Sequence, residues 1–121
     1  MAKLFVVGCD RQTAGQILRA LTKDAHCVEY RDKLASVNDL RDADLVFAGG
    51  EPGQRMSLLR RIKDAFPWLP CIVAARVPDT KEWLDALEAG ATDYCGAPFE
   101  SGQLEALIKT ALFSGRRWMT A

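Results

Sequence analysis

The acidic side chains best placed for chemistry lie just beyond two apolar segments. Asp10 follows the run Leu4–Val7, and Glu51 follows the run Leu45–Ala48. Acids in such places raise the question of phosphoryl transfer to a carboxylate. That reaction needs an Asp nucleophile, Mg²⁺, further carboxylates to hold the metal, and donors for the phosphoryl oxygens. Two carboxylates without a cluster make a poor Mg²⁺ site, so we interpret Asp10 as a helix cap and Glu51 as a turn residue.

Short apolar segments alternate with segments of helical periodicity along the whole chain. Strands are predicted at Leu4–Val7, Cys27–Tyr30, Leu45–Ala48, Cys71–Ala75 and Thr92–Cys95. Helices are predicted near 11–23, 33–40 and 54–66, from a cap at Asp79 to Gly90, and after Phe99 as far as Gly115. This order predicts an α/β fold: a (βα)5 doubly wound, five-stranded parallel sheet with the flavodoxin-like order 2-1-3-4-5. We expect a domain over residues 1–114 and a tail or linker over 115–121.

The fourth predicted helix carries several apolar residues and a capping signature. Asp79 with Glu82 three residues later is typical of a capping box. The sequence predicts that Leu84, Ala86 and Leu87 form the buried stripe of this helix. Trp83 lies beside that stripe, so we expect it to be partly exposed.

Composition narrows the classes of partner. The 121 residues hold sixteen basic and sixteen acidic side chains, which gives no overall field for nucleic acid or an anionic membrane. No apolar run reaches the roughly 20 residues of a membrane span, and we expect a cytoplasmic protein. The four cysteines form no C-x-x-C pair and are interpreted as small hydrophobic side chains. No metal site or cofactor is predicted.

The predicted strand ends lack the side chains that phosphoryl transfer to a carboxylate requires. In a sheet of this kind, ligands bind outside the carboxyl ends of the strands. The residues at or just beyond those ends are Gly8, Cys9, Gly49, Ala75 and Ala97. None of them carries a carboxylate, a hydroxyl or an ammonium group.

Three stretches carry a resemblance to a known family. They are Asp44-Leu45-Val46-Phe47-Ala48, the pair Leu69-Pro70 before an apolar strand, and above all ALEAGATDYCGAPFE over residues 86–100. Over about residues 3–113 the chain resembles the receiver domain of bacterial two-component response regulators, which take part in phosphorelay signalling. In that family the last stretch reads A-L-E-A-G-A-D-D-Y-L-x-K-P-F.

The departures from the family pattern fall on its phosphorylation residues. Where receivers end strand 1 with an acidic pair, this chain has Gly8 and Cys9. Gly49 stands at the position of the phospho-accepting Asp, Ala75 at that of the Thr or Ser of strand 4, and Ala97 at that of the Lys before Pro-Phe. The resemblance therefore implies a degenerate receiver, or pseudo-receiver. Such a chain would be a non-enzymatic, phosphorylation-independent signalling and protein-interaction module of a two-component-type regulator.

Other positions of the family pattern are retained. The resemblance implies a cis bond before Pro98 and places Tyr94 at the aromatic switch position. Tyr94 and Trp83 are candidate interaction residues, and the plainer alternative is a fixed Tyr94 ring and a Trp83 that flanks the core. The expected partner is another protein, an output domain, or a second copy bound through the face of helix 4, strand 5 and helix 5. No binding to nucleic acid or membrane is expected of this domain.

Two other functions stay open at this stage. Gly8, Gly49, Gly50, Gly53 and Gly96 could leave room and free backbone amides at the strand ends, as in a sensor of a small ligand or anion. Cys9, near the first turn of a helix, could instead have a redox role.

Overall fold

The computed structural model describes residues 2–21 and 26–120, with only the backbone described for residues 114–120. In chain order, the strands are β1 (Lys3–Val7), β2 (Cys27–Arg31), β3 (Leu45–Ala48), β4 (Cys71–Ala75) and β5 (Asp93–Gly96). The α-helices are α1 (Arg11–Ala20), α2 (Pro52–Ala65), α3 (Thr80–Glu88) and α4 (Ser101–Thr120). A 3-10 helix occupies Val37–Leu40.

The strands form one parallel sheet in the order β2-β1-β3-β4-β5. The predicted fold class and strand order are therefore confirmed. The central strands β1, β3 and β4 are buried almost throughout, as their continuous apolar runs require. β1 and β3 lie side by side, with Val7 paired to Ala48, so the residues that follow both strands meet at one edge of the sheet.

Helices cover both faces of the sheet, and each face has its own hydrophobic core. α1 and α4 cover one face, where Phe47 and Ile72 of the sheet meet Ile17 and Ile108 of the helices. The 3-10 helix, α2 and α3 cover the other face, where Leu59 and Ile62 of α2 are fully buried. No helix within the described part of the chain is both long and apolar enough to cross a membrane.

Three predicted helices differ from the observed ones. The helix predicted near 33–40 is a single 3-10 turn, because only Leu34, Val37 and Leu40 contact the core there. α1 ends at Ala20, and residues 22–23 of its predicted span lie outside the described residues. The predicted end of the last helix at Gly115 is wrong, since α4 continues to Thr120. An interior glycine costs a helix only about 1 kcal/mol relative to alanine, which long flanking segments can absorb.

The orientation of α3 is the main correction to the fold. Asp79 caps this helix as predicted, since its side chain accepts a hydrogen bond from the Glu82 amide. The reciprocal half of the predicted capping box does not form, because the Asp79 amide donates to the Tyr94 hydroxyl. Of the predicted buried stripe only Ala86 is buried, whereas the prediction for Leu84 and Leu87 is wrong because both are exposed and Glu82 is buried instead. The Glu82 carboxylate turns into the protein and binds an arginine of α2, and this contact rotates the two leucines toward solvent.

Candidate functional site

A cleft of about 320 Å³ opens at the carboxyl ends of the strands. It lies between the N-termini of α1 and α2 and the loop after β4. Its lining includes Gly8, Cys9, Gly50, Arg55 and Arg76. Its position is the one expected for a ligand site in a sheet of this order.

The floor of the cleft is closed by the contact of two strand ends. Gly8 has a positive φ of 83°, and a Cβ atom there would lie 2.7 Å from the Gly49 carbonyl oxygen. A Cβ atom on Gly49 would overlap with Cys9 Sγ. The Gly49 amide donates to the Val7 carbonyl at 2.8 Å, and the Gly8 amide donates to the Arg31 carbonyl at 2.9 Å. The space that a side chain at position 49 would need is therefore filled by the Cys9 thiol.

The predicted positions at the end of β4 and just beyond β5, Ala75 and Ala97, carry only methyl groups. Ala75 is fully buried at the end of β4, and its carbonyl accepts a hydrogen bond from the Ala97 amide at 3.2 Å. The Ala97–Pro98 peptide bond is cis, the isomer that the family resemblance implies. These positions shape the chain but offer no hydroxyl or ammonium donor.

Acids and bases balance within the cleft, which is lined by Asp10, Glu51, Arg55 and Arg76. Asp10 caps α1, as predicted, by accepting the Thr13 amide at 3.0 Å. Hydrogen bonds from Thr13 lower the pKa of the Asp10 carboxyl, and Arg76, 4.0 Å away, acts in the same direction. Among the described residues, no group of three or more His, Cys, Asp or Glu side chains could hold a metal ion.

The glycine-based argument for an anion sensor is not supported. Besides the contacts of Gly8 and Gly49, a Cβ atom on Gly96 would lie 2.6 Å from the Pro78 ring, and one on Gly50 would lie 3.1 Å from the Gly8 carbonyl oxygen. Among the five glycines of that argument, Gly53 alone has open space around it. The glycines serve close backbone packing, and the amides of Gly8 and Gly49 already have partners.

Cys9 does not have the surroundings of a reactive thiol. It is buried beneath the cleft, and burial, followed by the neighbouring Asp10 charge, raises the pKa of its thiol to about 11. A redox-active cysteine needs a stabilised thiolate, which this environment disfavours. Cys9 acts as a small buried group that fills the space beside Gly49.

A buried polar chain, which the sequence did not predict, connects the cleft to α3 and β5. Arg55 Nη1 donates to the Gly50 carbonyl at 2.6 Å, and Arg55 Nη2 donates to Glu82 Oε1 in an ion pair. The Tyr94 hydroxyl donates to the same Glu82 oxygen at 2.6 Å and accepts the Asp79 amide at 3.2 Å. We call this set, from the Gly50 carbonyl to the Asp79 amide, the Arg55–Glu82–Tyr94 chain.

The sequence contains one weak indication of the Arg55–Glu82–Tyr94 chain. Arg55 precedes Leu58, Leu59 and Ile62 at helical spacing, so it falls on the buried stripe of α2. Arg55 is only 5% exposed and Glu82 only 9%. A charged residue on the buried stripe of a helix indicates a buried partner, although it does not say which residue that partner is.

Tyr94 is held in place on the surface of α3 and β5. Its ring is half-buried against the core that α2 and α3 cover. Burial raises the pKa of its hydroxyl, and the hydrogen bond to Glu82 raises it further. Trp83 is partly exposed, as predicted, and lies near Tyr94 in a shallow groove that Pro78 and Gln103 also line.

Comparison with known proteins gives the chain its class. The sheet order, the cleft and the cis Ala97–Pro98 bond agree with the fold of response-regulator receiver domains, which the solved structures that match this chain share. A solved response regulator from Thermotoga maritima superposes with a TM-score of 0.81 and is 28% identical, with 93% of this chain and 98% of that chain covered. NtrX from Brucella abortus in complex with ATP gives a TM-score of 0.86 at 23% identity, over 98% of this chain and 28% of that chain.

A curated relative has a similar sequence. The chain is 32% identical over 99 residues to the DNA-binding transcriptional regulator NtrC of Proteus hauseri. That match covers 82% of this chain but only 18% of the length of the relative. No protein-family model matches the chain. The similarity to these regulators supports a signalling role as a receiver domain.

Proposed function

We propose that this chain is a non-enzymatic, phosphorylation-independent receiver module, a pseudo-receiver that acts through protein contacts. The observation that supports this most directly is the packing at the end of β3. Gly49 offers no nucleophile, and Cys9 Sγ fills the space in which a side chain at this position would begin. The neighbouring positions Ala75 and Ala97 offer no hydroxyl or ammonium group to a phosphoryl group.

The proposed contact surface is formed by α3, β5 and α4. Because the second predicted helix is a 3-10 turn, this is the face described above as helix 4, strand 5 and helix 5. Trp83, Leu84 and Leu87 share one exposed side of α3, with Tyr94 beside them. Large aromatic side chains are enriched at protein interfaces. We propose that a protein partner, an output domain or a second copy binds here, and that the domain binds neither nucleic acid nor membrane.

The first test concerns magnesium. Since the strand ends lack a carboxylate cluster, we expect Mg²⁺ to bind the folded state no more tightly than the unfolded state. We expect the same melting temperature in EDTA and in millimolar Mg²⁺, measured by differential scanning calorimetry. A clear, concentration-dependent rise with Mg²⁺ would show that the cleft still holds the ion and would count against the proposal.

The second test concerns self-association. If two copies bind through the α3–β5–α4 face, Trp83→Ala should raise the dimer dissociation constant at least about tenfold, because tryptophan is a frequent hot spot. Sedimentation equilibrium measures this constant. Trp68→Ala is the matched control, since Trp68 is also exposed but lies just before β4, at the other end of the sheet. Equal effects of the two substitutions, or a monomer at all concentrations, would contradict a dimer through this face.

A further inference from the structure

The Arg55–Glu82–Tyr94 chain connects the loop after β3 and helix α2 to α3 and β5, which lie much later in the sequence. Gly50 follows β3, Arg55 lies in the second turn of α2, Glu82 lies in α3, and Tyr94 lies in β5. Each link is a hydrogen bond or an ion pair through a side chain. The two charged members are buried, so solvent screens their interaction only weakly.

The Arg55–Glu82–Tyr94 chain matters for α3 because few other buried side chains hold this helix in position. Its buried side chains are Glu82 and Ala86, and a methyl group fixes neither the rotation nor the height of a helix closely. Leu84 and Leu87, which would normally anchor a helix of this length, point to solvent. The position of α3 therefore depends strongly on Glu82, and through Glu82 on Arg55.

The ion pair has few other partners. Arg55 Nε and Glu82 Oε2 are buried, and no hydrogen-bond partner for either exists among the described residues. The backbone carbonyl of Gly50 and the hydroxyl of Tyr94 are thus the hydrogen-bond partners that orient the pair. Loss of one member leaves the others without a replacement partner.

We propose that Arg55, acting through Glu82, is a positioning residue for Tyr94, and that it couples the loop after β3 to the α3–β5 surface. The Gly50 carbonyl orients the guanidinium, the guanidinium holds the Glu82 carboxylate, and the carboxylate sets the Tyr94 ring and the first turn of α3. A displacement of the loop at Gly50 is transmitted along this path to the surface that carries Trp83. The consequence for binding rests on the proposed function, whereas the coupling itself does not.

Fluorine NMR of the chain labelled with 3-fluorotyrosine tests the coupling directly. The sequence has only two tyrosines, so Tyr94 gives one signal and Tyr30 gives an internal reference. Tyr30 donates to the Cys9 carbonyl and packs against the core on the opposite face of the sheet from Tyr94. Tyr94→Phe assigns the two signals. We expect Arg55→Met to shift the Tyr94 signal by more than its linewidth and to leave the Tyr30 signal in place.

Two further variants distinguish a specific effect on the position of Tyr94 from a general destabilisation of the core. Arg55→Lys keeps the charge but lacks the second Nη group, so its Tyr94 signal should lie between those of the wild type and Arg55→Met. If Arg55→Met does not fold, Arg55→Lys takes its place in the test. Ile62→Val weakens the core beneath α2 but replaces no member of the Arg55–Glu82–Tyr94 chain, so it should leave the Tyr94 signal unchanged. An unchanged Tyr94 signal in the folded Arg55 variants, or an equal shift in Ile62→Val, would overturn the proposal. The measurement needs no partner and stays valid if the proposed function fails.

Discussion

Replacing Arg55 with methionine is expected to lower the free energy of unfolding by about 3–5 kcal/mol. The substitution keeps most of the side-chain volume but leaves the Glu82 carboxylate buried without its cation. A buried unpaired charge must either stay desolvated or take up a proton, and both outcomes cost stability. The Gly50 carbonyl loses its donor at the same time. Urea denaturation followed by circular dichroism measures the effect.

The double variant Arg55→Met/Glu82→Met is the matched control. Removing both ions removes the desolvation cost together with the attraction, so a buried pair can often be replaced by apolar residues at little net cost. We expect the double variant to be more stable than Arg55→Met alone and to lie within about 2 kcal/mol of the wild type. A single variant as stable as the wild type would contradict the burial of the pair. A double variant as unstable as the single would show that side-chain packing, rather than charge, accounts for the loss.

Replacing Gly49 with alanine is expected to destabilise the fold by about 1–3 kcal/mol, the usual cost of overpacking a core. The added methyl would overlap with Cys9 Sγ and lie 3.3 Å from Cys9 Cα. Cys9 is itself buried and cannot turn freely away. An aspartate at this position would face the same obstacle at its first side-chain atom, so restoring the acceptor alone is not expected to restore a receiver site. Thermal or chemical denaturation measures the change.

The control for Gly49→Ala is the same substitution made in a Cys9→Ala variant. In Cys9→Ala the sulfur is absent, so Gly49→Ala should cost clearly less there than in the wild type, with a coupling free energy of about 1 kcal/mol or more. Gly53→Ala controls for the loss of glycine flexibility, because nothing lies within 4 Å of a Cβ atom at that position. That substitution should be neutral or slightly stabilising. An equal cost for Gly49→Ala in both backgrounds would contradict the contact with Cys9.

The parts of the fold that follow from local patterns could be predicted from the sequence. The apolar runs at 45–48 and 71–75 are central strands, and the predicted order of the sheet is the observed one. Asp10 and Asp79 cap the helices that the sequence assigns to them. A cap or a buried strand is decided by residues that are near one another in the chain, so the pattern contains the information.

The parts that depend on distant pairs could not be predicted. Apolar periodicity favours burial of Leu84 and Leu87, but the ion pair of Glu82 with Arg55, 27 residues away, decides which side of α3 faces the core. The fit of Cys9 Sγ beside Gly49 depends likewise on the distance between two strand ends. The sequence shows that the reactive groups are absent at these positions, whereas the structure shows what fills the space.

Intact-protein mass spectrometry after incubation with acetyl phosphate and Mg²⁺ tests the central claim most directly. With Gly49 at the end of β3, and Cys9 packed into the space beside it, the wild-type chain should show no added phosphoryl group. A receiver domain with an intact acceptor aspartate, treated in parallel, shows that the reagent is active. A stoichiometric adduct on this chain, stable in acid and labile in alkali as an acyl phosphate is, would contradict the proposal of a phosphorylation-independent module.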